Sequence, residues 1–219
     1  MDLFEPIDQY CERTAPGLLE EPLNLFTNLS FVIAGLLILK SLKKIKPEDI
    51  KPGSLLLGRL IIVIGCGSAL FHSFANFWSM WADVVPIGIF VLAYLWLFLR
   101  HDARLGVNSS LLVFGGFFTL SFFCTQLADG IAANGGEAYF GTWITLFGIA
   151  CFYAGRRQAH EFYAVGSAAL IFSAALFFRT IDMRICSTWP VGTHLMWHVL
   201  NGVVLFLVTR AYAKAPGRS

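Results

Sequence analysis

Residues 55–75 read LLLGRLIIVIGCGSALFHSFA. A helix that crosses the hydrocarbon of a bilayer needs about 20 mostly apolar residues, and this stretch supplies them. Six further runs of the same kind lie near 24–42, 79–99, 109–127, 138–155, 162–180 and 190–212. Together they predict an all-α, polytopic integral membrane protein built as one bundle of seven transmembrane helices. Gly115, Gly116 and Gly141 blur the edges of the fourth and fifth runs, which makes six spans the competing count. Between those two runs, Ala128 to Glu137 (ADGIAANGGE) reads as a loop rich in turn formers.

Composition points the same way. Hydrophobic residues make up 57 % of the 219 and charged residues 14 %. A soluble domain carries roughly 45–50 % apolar and about 25 % charged residues. Mean hydropathy is +0.67. So few charges cannot cover a water-facing surface, and lipid must be the solvent. The basic residues form short clusters between apolar runs, which argues against a nucleic-acid partner. The chain opens with acids (Asp2, Glu5, Asp8, Glu12, Glu20 and Glu21) and lacks the basic n-region of a secretory signal. The first apolar run therefore stays as a membrane helix. The expected organisation is an acidic outer segment over 1–23, the bundle over 24–212 and a cytoplasmic tail over 213–219.

Lys and Arg excess marks the cytoplasmic side of a membrane. The first loop holds Lys40, Lys43, Lys44, Lys46 and Lys51, the third Arg100 and Arg104, the fifth Arg156 and Arg157, and the tail Arg210, Lys214 and Arg218. Every second connection is basic, which predicts the N-terminus outside and the C-terminus in the cytoplasm. An odd number of spans fits that arrangement. The sixth loop breaks the pattern with Arg179 and Arg184, where Asp182 is expected to pair with them. Short loops suggest a bacterial inner membrane, or the endoplasmic reticulum in a eukaryote.

Ionisable groups within spans are costly and mark function. His101 and His160 sit beside arginines in loops and read as solvated. His72 lies near the end of span two, His194 and His198 near the start of span seven, and Asp83 at the start of span three. The predicted orientation brings all four to the outer leaflet. His194 and His198 are four residues apart (THLMWH), which stacks them on one helix face roughly 5–6 Å apart. Adding His72 gives three nitrogen ligands, leaving the fourth position of a catalytic zinc site to water. Ser68 lies one turn before His72 (GSALFH) and points the same way. Taken singly, each feature has a plain reading: HxxxH as a helix–helix contact, Ser68 as a small packing residue, Asp83 as a helix cap. Their convergence at one depth favours a metal. Cys11 and Cys186 both fall on the oxidising side, which predicts a disulfide from the N-terminus to the loop before span seven. Cys66, Cys124 and Cys151 fall inside spans as packing residues.

The ordered set Ser68-x3-His72, Asp83, then His194-x3-His198 resembles the signature of the alkaline ceramidases, within a membrane-hydrolase superfamily that includes the progestin and adipoQ receptors. The stretch YCERTAPGLLEEPLNLFTNLSF (Tyr10 to Phe31) is similar to the opening of those enzymes. The resemblance implies a zinc-dependent hydrolase cleaving the amide of ceramide or a related N-acyl lipid. It gives His72, His194 and His198 as zinc ligands, with Asp83 beside the zinc-bound water, where it could move that water's proton, and Ser68 as lining. It also implies a calcium site, for which Asp8, Glu12, Glu21 and Asn24 could supply oxygens. This chain departs from that pattern: Asp8 is displaced by one residue, Tyr10 replaces a tryptophan, Thr14 an asparagine, and the segment to Glu21 is shorter. The competing expectations are a receptor-like protein with structural zinc and a hydrolase of another lipid amide or ester.

Overall fold

A computed structural model describes residues 2–127 and 134–213. Its helices are α1 (Pro22–Thr27), α2 (Leu29–Leu42), α3 (Ser54–Phe74), α4 (Phe77–Leu97), α5 (Val107–Leu127), α6 (Phe140–Gly155), α7 (Ala159–Ile181) and α8 (His194–Ala213). With α1 and α2 running on as one span, seven segments among the described residues are long and apolar enough to cross a membrane. The expected all-helical bundle is what the chain forms. Among the described residues the only β pairing is an isolated bridge from Pro6 to Asn76. Of the loop expected over 128–137, residues 128–133 lie outside the described residues, as do 214–219 of the expected tail, and Gly136–Tyr139 is a 3-10 turn leading into α6.

Lipid, not water, dictates which side chains face outward. Leu112, Leu127, Phe26 and Leu170 are all more than half exposed, as expected where the surroundings are as apolar as the interior. Without a hydrophobic force pressing helices together, association depends on close backbone approach at small residues. At Gly35 the α2 backbone meets the Gly58 carbonyl of α3. At Gly67 a Cβ would overlap the Ala82 carbonyl of α4. That second contact carries the site: it brings Ser68, the next residue of α3, against Asp83, the next residue of α4. The start of α4 is fixed by a capping box in which Asn76 accepts from the Ser79 N–H and the Ser79 hydroxyl accepts from the Asn76 N–H.

Span seven begins at His194, four residues later than the hydropathy suggests. Pro190 and Gly192 belong to a turn, and Gly192 adopts φ +68°, a left-handed conformation that suits glycine. The buried Asp182 carboxylate packs where a Cβ on Gly192 would sit. One Asp182 oxygen accepts the backbone N–H groups of Thr193 (2.6 Å) and His194 (2.8 Å), and the other that of Cys11 (3.1 Å). The expectation that Asp182 pairs with Arg179 is thereby corrected. Two N–H donors at a helix start and a third from the N-terminal segment outcompete a guanidinium for this carboxylate, and the Arg179 Nε–H donates to the Asn134 carbonyl instead (2.9 Å).

The N-terminal segment is strapped across this end of the bundle. The Ile7 N–H donates to the Ala75 carbonyl (2.7 Å) and the Trp78 N–H to the Leu3 carbonyl (3.1 Å). The expected Cys11–Cys186 disulfide is formed, with 5.2 Å between the Cα atoms. At the opposite end Lys51 and Asp102 form a buried ion pair (2.5 Å), and the Tyr212 hydroxyl donates to the Pro52 carbonyl.

The α3–α4 contact yields a direct test. Gly67→Val forces those helices apart and should cost about 1–3 kcal/mol, read as a lower midpoint in detergent thermal unfolding. Gly116→Ala, whose Cβ meets nothing within 4 Å, should leave the midpoint no lower, or raise it slightly.

Candidate metal centre

A histidine in the last turn of α3 and two in the first turns of α8 meet at one point. His72, His194 and His198 are each at most 1 % exposed. Their ring centroids are 5.3 Å (His72–His194), 4.6 Å (His72–His198) and 4.7 Å (His194–His198) apart. One ring nitrogen from each comes within 4.8 Å of the others, a group that could hold a metal ion.

The hydrogen bonds around the trio select which nitrogens remain available. His72 Nδ1 lies 2.5 Å from Glu21 Oε2, and a carboxylate there accepts the Nδ1–H. His72 Nε2 is left buried with no hydrogen-bond partner. His198 Nδ1 lies 2.9 Å from Thr27 Oγ1. The Thr27 hydroxyl spends its one proton on the carbonyls of Leu23 and Asn24, so it accepts from His198 and leaves Nε2 with a free lone pair. His194 Nδ1 is buried without a partner. Its ring stacks on Tyr10 at 3.6 Å between centroids, and its backbone N–H is held by Asp182. Leaving such groups unmet costs about 1–3 kcal/mol each; a metal ion accepting their lone pairs removes that cost. The donor set of three neutral imidazoles, two with an outer partner on the second nitrogen, fits zinc.

Asp83, the seventh residue of α4, faces Ser68 across the α3–α4 contact at Gly67 and lies within electrostatic reach of His72. Its Oδ1 is buried without a partner. The five residues singled out in the sequence thus surround one spot. Beside it lies an apolar cavity of about 90 Å³, lined among others by Phe31, Tyr139, Phe172, Trp197 and Val208. The Phe31 ring approaches His198 to 6.2 Å and Trp197 approaches His194 to 6.5 Å. Arg179 is buried among Tyr10, Tyr139 and Trp197, 5.0 Å from the indole centroid.

The four candidates for calcium do not meet in the same way. Asp8 is exposed. Both oxygens of Glu12 cap α1, accepting the N–H groups of Leu23 (2.7 Å) and Asn24 (2.8 Å). Glu21, 1 % exposed, is committed to Arg13 through Oε1 (2.7 Å) and to His72 and Asn24 Nδ2 through Oε2. Asn24 Oδ1 is buried without a partner. A calcium cage needs about six to eight oxygens, and here the carboxylates are occupied by N–H donors with a guanidinium among them. The residues present do not fit that ion. Burial alone would push the Glu21 carboxyl up, but hydrogen bonds from His72, Arg13 and Asn24 hold it below the usual carboxylate range.

The outer partners Thr27 and Asp182 escaped the sequence reading. Neither has a local signature: Thr27 lies 171 residues from His198 and Asp182 caps a helix that starts 12 residues later.

A family model described as Ceramidase matches residues 9–216, nearly the whole chain. No curated protein matches it. Since the matched segment runs from the strap that carries Tyr10 through the last turn of α8, it takes in every side chain around the trio. The chain therefore belongs to the ceramidase family, hydrolases acting on amide C–N bonds within the membrane.

Proposed function

We propose that this protein is a zinc-dependent hydrolase of ceramide or a closely related N-acyl lipid, with His72, His194 and His198 as the zinc ligands. The observation that carries the reading is the buried imidazole trio, with unpartnered nitrogens on His72 and His194, placed beside Asp83 and Ser68 and next to an apolar cavity. Bound there, zinc would polarise a carbonyl oxygen and lower the pKa of water to about 7.

The chain's own residues account for the remaining requirements. The cavity beside the histidines would take the acyl carbons next to the amide, which places the amide carbonyl at the polar end near Asp83. Asp83 takes a proton from the attacking water as its oxygen bonds to the carbonyl carbon, then delivers that proton to the departing nitrogen as the C–N bond breaks. The products are a fatty acid and a long-chain amine. Ser68, one turn from His72 and facing Asp83, donates its hydroxyl hydrogen to the developing oxyanion. Family membership supports the amide as the bond cleaved. The alternation of basic loops supports an N-terminus outside, a C-terminus in the cytoplasm and a site near the outer leaflet, with a bacterial inner membrane as the setting.

Purified protein should release fatty acid from a short-chain ceramide and carry about one zinc per chain. Asp83→Asn should keep the metal and lose about 10²–10⁴-fold in turnover. His198→Ala should lose both metal and activity. Bound zinc with no turnover across several N-acyl lipids would contradict the proposed substrate, and a metal-free active enzyme would contradict the zinc. Ser68→Ala should lower kcat about 100-fold with KM nearly unchanged; a change confined to KM would place Ser68 in substrate binding instead.

A further inference from the structure

A carboxylate buried under the end of a membrane bundle needs a positive partner, since an unpaired buried charge is among the costliest features a fold can carry. Glu21 is such a group. It is 1 % exposed and holds the ring of His72 through a 2.5 Å contact. What faces its other oxygen is Arg13, itself 8 % exposed. Arg13 donates Nε–H to Glu21 Oε1 (2.7 Å) and an Nη1 hydrogen to the Gly17 carbonyl (3.1 Å), while Nη2 lies 3.5 Å from the His72 carbonyl. One cation thus gathers a carboxylate oxygen and two backbone carbonyls, the ligand types that a bound calcium ion would take. The two other contacts of Glu21, to His72 and Asn24, are on the opposite oxygen.

We propose that Arg13 is a built-in cation standing in place of calcium: its guanidinium neutralises Glu21 and fixes that carboxylate on His72, so that the metal centre is positioned without a second ion. Three consequences of the local sequence agree. Glu12 is released to cap α1 with both its oxygens. The loop from Thr14 to Glu20 is short enough for Gly17 to fold its carbonyl back onto the guanidinium. Asp8 is left exposed beside the pocket that Arg13 also lines. The planar fork of arginine suits this role, because Nε and the two terminal nitrogens reach three oxygens in fixed directions, and unlike calcium the cation cannot dissociate. Arg13 touches no reacting atom; it is a positioning residue acting through Glu21 and His72. The inference rests on the assignment of His72 as a zinc ligand.

The test separates the two claims. Full-length wild type in detergent is titrated with calcium by calorimetry, and its unfolding midpoint and ceramide turnover are followed with calcium and with a calcium-selective chelator. No stoichiometric calcium binding and no change in midpoint or turnover are expected. Zinc affinity is then measured by competition with a chromophoric chelator for wild type, Arg13→Met and Arg13→Lys, and the visible spectrum of each cobalt-substituted protein is recorded. Arg13→Met should weaken metal binding about tenfold or more, the range for outer partners of a ligating histidine, and perturb the cobalt spectrum. Arg13→Lys, which keeps the charge without the fork, should recover part of the affinity. Stoichiometric calcium binding that supports turnover would overturn the proposal, as would Arg13→Met with unchanged zinc affinity and spectrum. If Arg13→Met does not fold, the calcium titration and Arg13→Lys decide it, a Lys variant no tighter than a metal-free baseline counting against. Wild type that binds no zinc refutes the zinc reading instead, and the calcium measurements do not depend on it.

Discussion

The Glu21–His72 contact is the interaction on which the arrangement depends. An imidazole in hydrocarbon has two nitrogens and no water to satisfy them, so the fold must give each a partner or leave it aimed at a ligand. Glu21 takes one nitrogen of His72, and the other is left buried and bare. Thr27 likewise takes one nitrogen of His198. The tautomers follow from these outer contacts, and with them the direction in which lone pairs point. Because Glu21 and Thr27 belong to the segment around α1, the geometry of the histidine trio depends on that segment packing on α3 and α8.

This explains why so much of the N-terminus is pinned. The disulfide from Cys11 to Cys186 joins the strap to the loop before α8, and Asp182 binds the Cys11 N–H with one oxygen and the start of α8 with the other. Tyr10, between these anchors, stacks on His194. A carboxylate that caps a helix and clamps a distant loop segment at once makes the position of His194 depend on the strap. Gly192 is the accommodation: any side chain there would collide with Asp182 and with Cys11.

The sequence made the spans legible because lipid imposes a length and a composition that few other constraints imitate. It also made the trio legible, since His72 and the His194–His198 pair fall at matching depths once the helices alternate in direction. What it hid was everything decided by side-chain competition across the fold. Asp182 sits between two arginines in sequence, which suggests an ion pair, yet three backbone N–H groups claim it. Glu21 looks like one more acid in an acidic segment until its burial against Arg13 and His72 is seen. The start of α8 was misjudged by four residues because the run from Pro190 is apolar enough, and only the turn at Gly192 delays the helix.

Amide hydrolysis of a lipid sets two demands that conflict: the chain must stay in an apolar slot, while water must reach the carbonyl. Helix ends reconcile them. His72 lies two residues from the end of α3, His194 opens α8, and Asp83 stands within the first two turns of α4. The same three helices run on into the apolar cavity, with Trp197 and Phe31 at the boundary between the rings and the slot. Polar chemistry is thus confined to about two turns at one end of the bundle. The rest of each helix is free to be as apolar as the membrane requires. A site placed nearer mid-bundle would have to bury the carboxylate of Asp83 deeper and bring water across more hydrocarbon. Strapping the N-terminal segment over the helix ends has a further effect: the histidines are shielded from bulk water at a depth where the bundle alone would leave them open.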